Sequence, residues 1–175
     1  MMQWFSFEWV FISWIISLFI HHNNIMRASI SAKKDELIDK LVALSELKWH
    51  CDTDTHFYIQ ERYNAAVARI DWKLKQLNEL SSCILVTEEA LQPLYDFDVE
   101  SFACETTPEN DKNRLKNTLQ EKCDTIIDII ETEHFTKVLR SKTHAFWSAR
   151  HSLFGVLFAL IVITLFIHIM SFLFK

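Results

Sequence analysis

The sequence predicts an all-α protein. Three observations carry that expectation. Gly155 is the only glycine, and Pro93 and Pro108 are the only prolines, so the turns an all-β fold needs have no residues to make them. Apolar residues through the middle recur at spacings of three and four. Both ends are long apolar runs that suit helices rather than strands. The expected architecture is two transmembrane helices flanking a cytoplasmic helical bundle. A long third helix of that bundle continues into the second span. The expected boundaries are 1–24 for the first span, 25–147 for the bundle and 148–175 for the second span.

The first element is Trp4 to Ile20, an apolar run interrupted by Ser6, Glu8, Ser13 and Ser17. At ~1.5 Å rise per residue it spans about 26 Å, the short limit for a membrane helix. No basic n-region precedes it and no A-x-A-like site follows, so an uncleaved anchor is expected over a signal peptide or an interfacial helix. The last element, Ser152 to Phe174, carries one ionisable side chain, His168. Its length of about 35 Å exceeds a hydrocarbon core of ~30 Å.

The charges lie between these runs. All but Lys175 of the 18 Lys and Arg, and all but Glu8 of the 23 Asp and Glu, fall from His21 to His151. Arg27, Lys33 and Lys34 follow the first run, and Lys137, Arg140, Lys142 and Arg150 precede the second. The positive-inside rule then places the middle in the cytoplasm and both termini outside. The last four cations, with Trp147, suit anionic headgroups at an interface. Small size and the lack of an N-x-[ST] acceptor suggest the inner membrane of a bacterium.

Within the middle, Ser31 is expected to cap a helix running to about Trp49. Leu37, Leu41 and Leu44 form its stripe, with Ile38 and Leu47 alongside. A second helix is expected from His56 to Val86, burying Ile59, Tyr63, Ala66, Ile70, Leu74 and Leu77. From Thr87 to Thr107 the period fails. That stretch holds Glu88, Glu89, Asp96, Asp98, Glu100 and Glu105 and no Lys or Arg, with Leu91, Leu94, Tyr95, Phe97 and Phe102 interleaved. It reads as an acidic loop resting its aromatics on the bundle, or as a segment that docks a partner. Thr107-Pro108 is expected to open the third helix, with Leu115, Leu119, Cys123, Ile126, Ile130 and Val138 on one face.

Function classes narrow by exclusion. One glycine cannot build a P-loop, a Rossmann fingerprint or a nucleophile elbow. An acidic middle argues against direct nucleic-acid binding, which needs a basic face. Cys51, Cys83, Cys104 and Cys123 are too widely spaced for a zinc knuckle and are expected as free thiols in a reducing compartment. His50 to His56 is dense in potential ligands, but its Asp and Thr suit a polar turn between helices. Glu131-x-x-His134 has the spacing of a di-iron motif without a second copy. No cofactor, no metal and no enzymatic activity are expected.

The spans hold the remaining candidates. Ser6, Ser13 and Ser17 fall within about 40° of one another around a helix. Thr164, His168 and Ser171 share a face of the second run, and either stripe suits interhelical contact or a pore lining. Ser152, Gly155 and Ala159 offer a small-residue packing face.

In this layout (Trp4–Ile20, a helical middle, Ser152–Phe174) the chain resembles the small two-span effectors of bacterial phage-defence systems, including those encoded beside retron reverse transcriptases. The resemblance implies an oligomerising toxin, silenced by a reverse transcriptase–nucleic acid partner, that depolarises the membrane on infection. The alternative is a non-enzymatic two-span scaffold whose segment Glu88 to Glu105 docks a cytoplasmic partner.

Overall fold

The computed structural model describes residues 3–50, 56–104 and 106–140, together with 154, 155, 158, 161, 164 and 165; for 3–9, 11, 12 and 56 it describes the backbone alone. Every regular element among them is helical, so the protein is all-α. No helix among the described residues is long and apolar enough to cross a membrane. The chain divides into two compact units. One comprises Met1–Ala28 with Ser141–Lys175, the other Ser29–Arg140.

Helix α1 runs unbroken over Gln3–Ser45. Ser31 therefore lies inside a helix and caps nothing. No Gly or Pro occurs before Pro93 to interrupt it. Its C-terminus is a Schellman motif: Lys48 N–H bonds the Ala43 carbonyl at 3.1 Å, and Leu47 N–H bonds the Leu44 carbonyl at 3.2 Å. The left-handed position is held by Leu47, at φ 58°. Glycine is the usual residue there, since it lacks the Cβ that crowds the following carbonyl.

Helix α2, His56–Ser81, ends five residues before the expected Val86. Ser82, at φ 53°, turns the chain. Asn78 then fastens the exit: its side chain accepts from Leu85 N–H at 2.8 Å and donates to the Val86 carbonyl at 2.8 Å. Its amide satisfies the backbone of a segment that has left the helix.

The acidic stretch is not a loop. A 3-10 turn over Glu88–Leu91 leads into α3, Gln92–Tyr95, and then α4, Val99–Ala103. Leu91, Leu94, Phe97, Val99 and Phe102 are buried, while Tyr95 is exposed. Asp98 caps α4 by accepting from Ser101 N–H at 2.9 Å. Aromatic rings lock the segment onto the bundle: Phe102 lies 5.7 Å from Trp49, and Phe97 lies 5.3 Å from Tyr63. Tyr63 Oη donates to the Leu94 carbonyl at 2.7 Å.

Helix α5 covers Glu109–Glu133. Pro108, at φ −56° and ψ 143°, is the cap residue and not the first helical one. Thr107 does not cap; its hydroxyl donates to the Ser101 carbonyl at 2.8 Å. Beyond Glu133 the helix widens into a π turn, His134–Leu139, with Arg140 N–H bonded to the Phe135 carbonyl at 2.9 Å. The Thr136 hydroxyl, bonded to the Thr132 carbonyl at 2.9 Å, competes there with the regular ladder. The expected uninterrupted helix is therefore regular only to Glu133.

The core of the Ser29–Arg140 unit joins α1 (Ile30, Leu37, Leu41, Leu44), α2 (Ile59, Tyr63, Val67, Ile70, Leu74, Leu77) and α5 (Leu119, Cys123, Ile126, Ile130). α4 packs on α2 and α5, and α3 on the same two helices. No described residue of the other unit is buried.

Candidate functional site

The expected stripe residues of the first span lie on α1. Ser13 and Ser17 are exposed, and the Ser13 hydroxyl donates to the Val10 carbonyl at 2.8 Å, so it serves its own helix. Of Ser6 only the helical backbone is described. In the second run, Gly155 and Thr164 are helical and exposed. A Cβ built on Gly155 meets nothing within 4 Å, so the described structure brings no partner up to its backbone. Ser152, Ala159, His168 and Ser171 lie outside the described residues.

The acidic set is partly assembled. Glu88, Glu89, Asp96, Asp98 and Glu100 all face outward, over the buried apolar residues of the same segment. Glu88 sits 3.6 Å from Lys75, and Asp96 accepts from Gln92 at 3.0 Å. Glu105 lies outside the described residues. The Ser101 contacts hold the Asp98 carboxyl below the usual carboxylate range.

No group of three or more potential metal ligands converges among the described residues. Glu131 is exposed whereas His134 is buried, so the Glu-x-x-His pair does not share a face. Of the His50–His56 cluster, 51–55 lie outside the described residues, and the His50 ring stacks edge-on against Phe102 at 5.3 Å. Cys83, Cys104 and Cys123 are free thiols. Burial pushes the Cys123 thiol up to about 12, which leaves it protonated and inert.

Three features escape a linear reading. His134 is buried, and its Nε2 has no hydrogen-bond partner among the described residues. Burial, and then Lys34, push its pKa below the ordinary value, with Asp35 opposing. Glu36 accepts from Lys33 at 2.8 Å and from Lys73 at 2.7 Å. Those two hydrogen bonds hold its carboxyl at about 2.

The third feature is a cleft of about 360 Å³ between α1 and α2. Four cations line it: Lys40 and Lys48 from the α1 side, Arg62 and Arg69 from α2. Ala43, Ala65 and Ala66 open the space and supply apolar surface, over the nearly buried Leu44 and Trp49. Among the described residues no carboxylate contributes to the lining. The linear signal existed, in the one-heptad spacing of Arg62 and Arg69 around Ala65 and Ala66. It carries no meaning until α1 is laid opposite.

No protein-family model matches this chain, and no curated protein or solved structure is found to resemble it.

Proposed function

We propose that this protein is a membrane-embedded effector that oligomerises and permeabilises a bacterial inner membrane when a cytoplasmic partner releases it. One observation carries the reading: large apolar side chains stand exposed among the described residues of the unit formed by the chain ends. Val10, Trp14, Ile16, Leu18, Ile20 and Ile25 do so on α1. Phe154, Phe158, Ile161 and Leu165 do so in the C-terminal run. Exposed apolar side chains in such number suit lipid or another copy of the same surface. Most of Ser152–Phe174 lies outside the described residues, and its span rests on its sequence.

On this reading the two spans are antiparallel, the Ser29–Arg140 unit is cytoplasmic, and no catalytic residue is involved. Gly155 and Ala159 form the contact between copies, and the serine stripe or Thr164 and His168 line the breach. The phage-defence resemblance supplies the natural restraint, a reverse transcriptase ribonucleoprotein.

A second reading, a scaffold without toxicity, is favoured by the outward carboxylates of Glu88, Glu89, Asp96, Asp98 and Glu100. They stand over a rigid, aromatic-anchored base and could dock a basic partner.

Induction of the full chain in bacteria, with a voltage-sensitive dye and alkaline carbonate extraction of membranes, separates the readings. The effector reading expects extraction-resistant protein and rapid depolarisation. Gly155→Leu should abolish depolarisation while the protein stays in the membrane. Recovery in the carbonate supernatant would reject both membrane readings. Membrane retention with an unchanged potential, even in cells lacking every neighbouring gene, would favour the scaffold.

A further inference from the structure

We propose that the α1–α2 cleft binds an organic phosphate of nucleotide size, independently of whether the chain ends enter a membrane. The argument begins with helix register. The Glu36–Lys73 bridge at 2.7 Å and the Trp49–Tyr63 contact at 5.0 Å run α1 and α2 antiparallel. At Glu36 the two helices meet with opposite charges. One turn further along both, the same register puts Lys40 and Arg69 on one cleft, with no carboxylate in its lining among the described residues. An anion seated between two cations is attracted from both sides.

Lys48 and Arg62 line the other end of the same cleft. Seven residues separate the two arginines along α2, so the two ends of the cleft lie ~10 Å apart. Lys48 also bonds Glu46 at 2.6 Å, an exposed pair that an arriving anion must displace. The Lys40–Arg69 end is therefore the stronger anchor.

Between the two ends the lining changes character. Alanines at 43, 65 and 66 leave the gap that larger residues would close and supply most of its apolar surface, over the nearly buried Leu44 and Trp49. Free inorganic phosphate would use the cations and waste this floor. A ligand with phosphate groups and an apolar ring or chain uses both. The volume falls at the small end of ligand pockets, which run roughly 300–1,000 Å³. Arginine forks match phosphate oxygens in pairs, and lysine ammonium groups add charge without demanding geometry.

The test is isothermal titration of the purified full chain with ATP, inorganic tripolyphosphate and dihexanoyl phosphatidylglycerol. The last two separate charge alone and a lipid headgroup from a soluble nucleotide. The proposal expects ATP or the phosphatidylglycerol to bind more tightly than tripolyphosphate, and which of the two binds identifies the source of the phosphate. Lys40→Ala with Arg69→Ala should weaken binding at least about tenfold, and Lys48→Ala less. Ala65→Leu keeps every charge but fills the opening, and should also abolish binding. Arg114→Ala, an exposed cation of α5, should change nothing. Melting curves matched to the parent exclude unfolding as the cause. Tripolyphosphate binding as tightly as both organic ligands, no binding of either at millimolar concentration, or full binding in Ala65→Leu would each overturn the proposal.

Discussion

Leu37, Leu41 and Leu44 of α1 are 1%, 0% and 1% exposed, while Trp14, Ile16, Leu18 and Ile20 of the same helix are 46% to 57% exposed. The residue types hardly differ; their arrangement does. From Ile30 onward the buried apolar residues, Ile30, Leu37, Leu41 and Leu44, keep to one face, with Lys33, Lys34, Asp35 and Glu36 among the residues between them, so that face can be buried and the others solvated. Before Ile20 the apolar residues occupy every direction around the axis, and neighbours on one side cannot cover them. The same chemistry thus yields a core in the Ser29–Arg140 unit and an unsatisfied surface in the other.

The sharpest way to break this comparison is to remove apolar atoms from each region. Leu77→Ala or Leu41→Ala, both at fully buried positions, should destabilise the Ser29–Arg140 unit by about 2–5 kcal/mol in urea melts followed by circular dichroism. Ile16→Ala should leave the melt within about 0.5 kcal/mol of the parent. A comparable loss from Ile16→Ala would mean that its exposed surface is covered within the folded chain.

Next in size is the polar latch at the end of α2. Asn78→Leu leaves the Leu85 N–H and the Val86 carbonyl without their partner and should cost about 1–3 kcal/mol. Tyr63→Phe removes one bond, to the Leu94 carbonyl, and should cost less, about 1–2 kcal/mol. Loss of the Phe97–Phe102 packing in Tyr63→Phe, read by near-ultraviolet circular dichroism, would show that the hydroxyl positions the whole acidic segment.

His134 makes the comparison depend on pH. Its folded pKa lies below the ordinary 6.5, so over the interval between the two the unfolded chain binds the proton that the folded chain refuses. The neutral imidazole's contribution is complete above the unfolded pKa and is lost as pH falls through the folded one. The midpoint temperature should therefore fall from pH 7.5 to pH 5.5, above the range where Glu36, held at about 2, begins to act. His134→Phe should flatten that dependence. An unchanged slope in the variant would assign the loss to another group.

The smallest effect is a gain. Ser82, at φ 53°, holds a conformation that costs a non-glycine residue ~1–2 kcal/mol. Ser82→Gly should recover about 1 kcal/mol of it, offset in part by the freedom glycine gains when unfolded. A loss instead would show that the Ser82 side chain, and not only its backbone, holds the turn.

How far each region could be read in advance follows from the range of the forces involved. The buried faces of α2 and α5 were legible because a helix repeats every 3.6 residues wherever it packs, and Ile59, Tyr63, Ile70, Leu74, Leu77, Leu119, Cys123, Ile126 and Ile130 obey that period. Helix ends were less legible. With glycine confined to position 155, the left-handed turns fell to Leu47 and Ser82, whose side chains announce no turn. The short helices between Thr87 and Thr107 were hidden for another reason. Segments of four or five residues hardly outlast their own nucleation cost, and they persist here because Tyr63, Trp49 and Lys122, which donates to the Pro93 carbonyl at 2.9 Å, hold them from outside.

By itself, the sequence determined the all-helical class, the three buried stripes of the middle and the apolar character of both ends. Each of these depends on composition or on a period along one helix. Only the tertiary structure decided that Asn78 closes the α2 exit, that His134 is buried without a hydrogen-bond partner among the described residues, and that Lys40 and Arg69 line one cleft. Those features join residues that are distant along the chain, and a charge or a donor acquires its meaning only from the group that folding sets beside it.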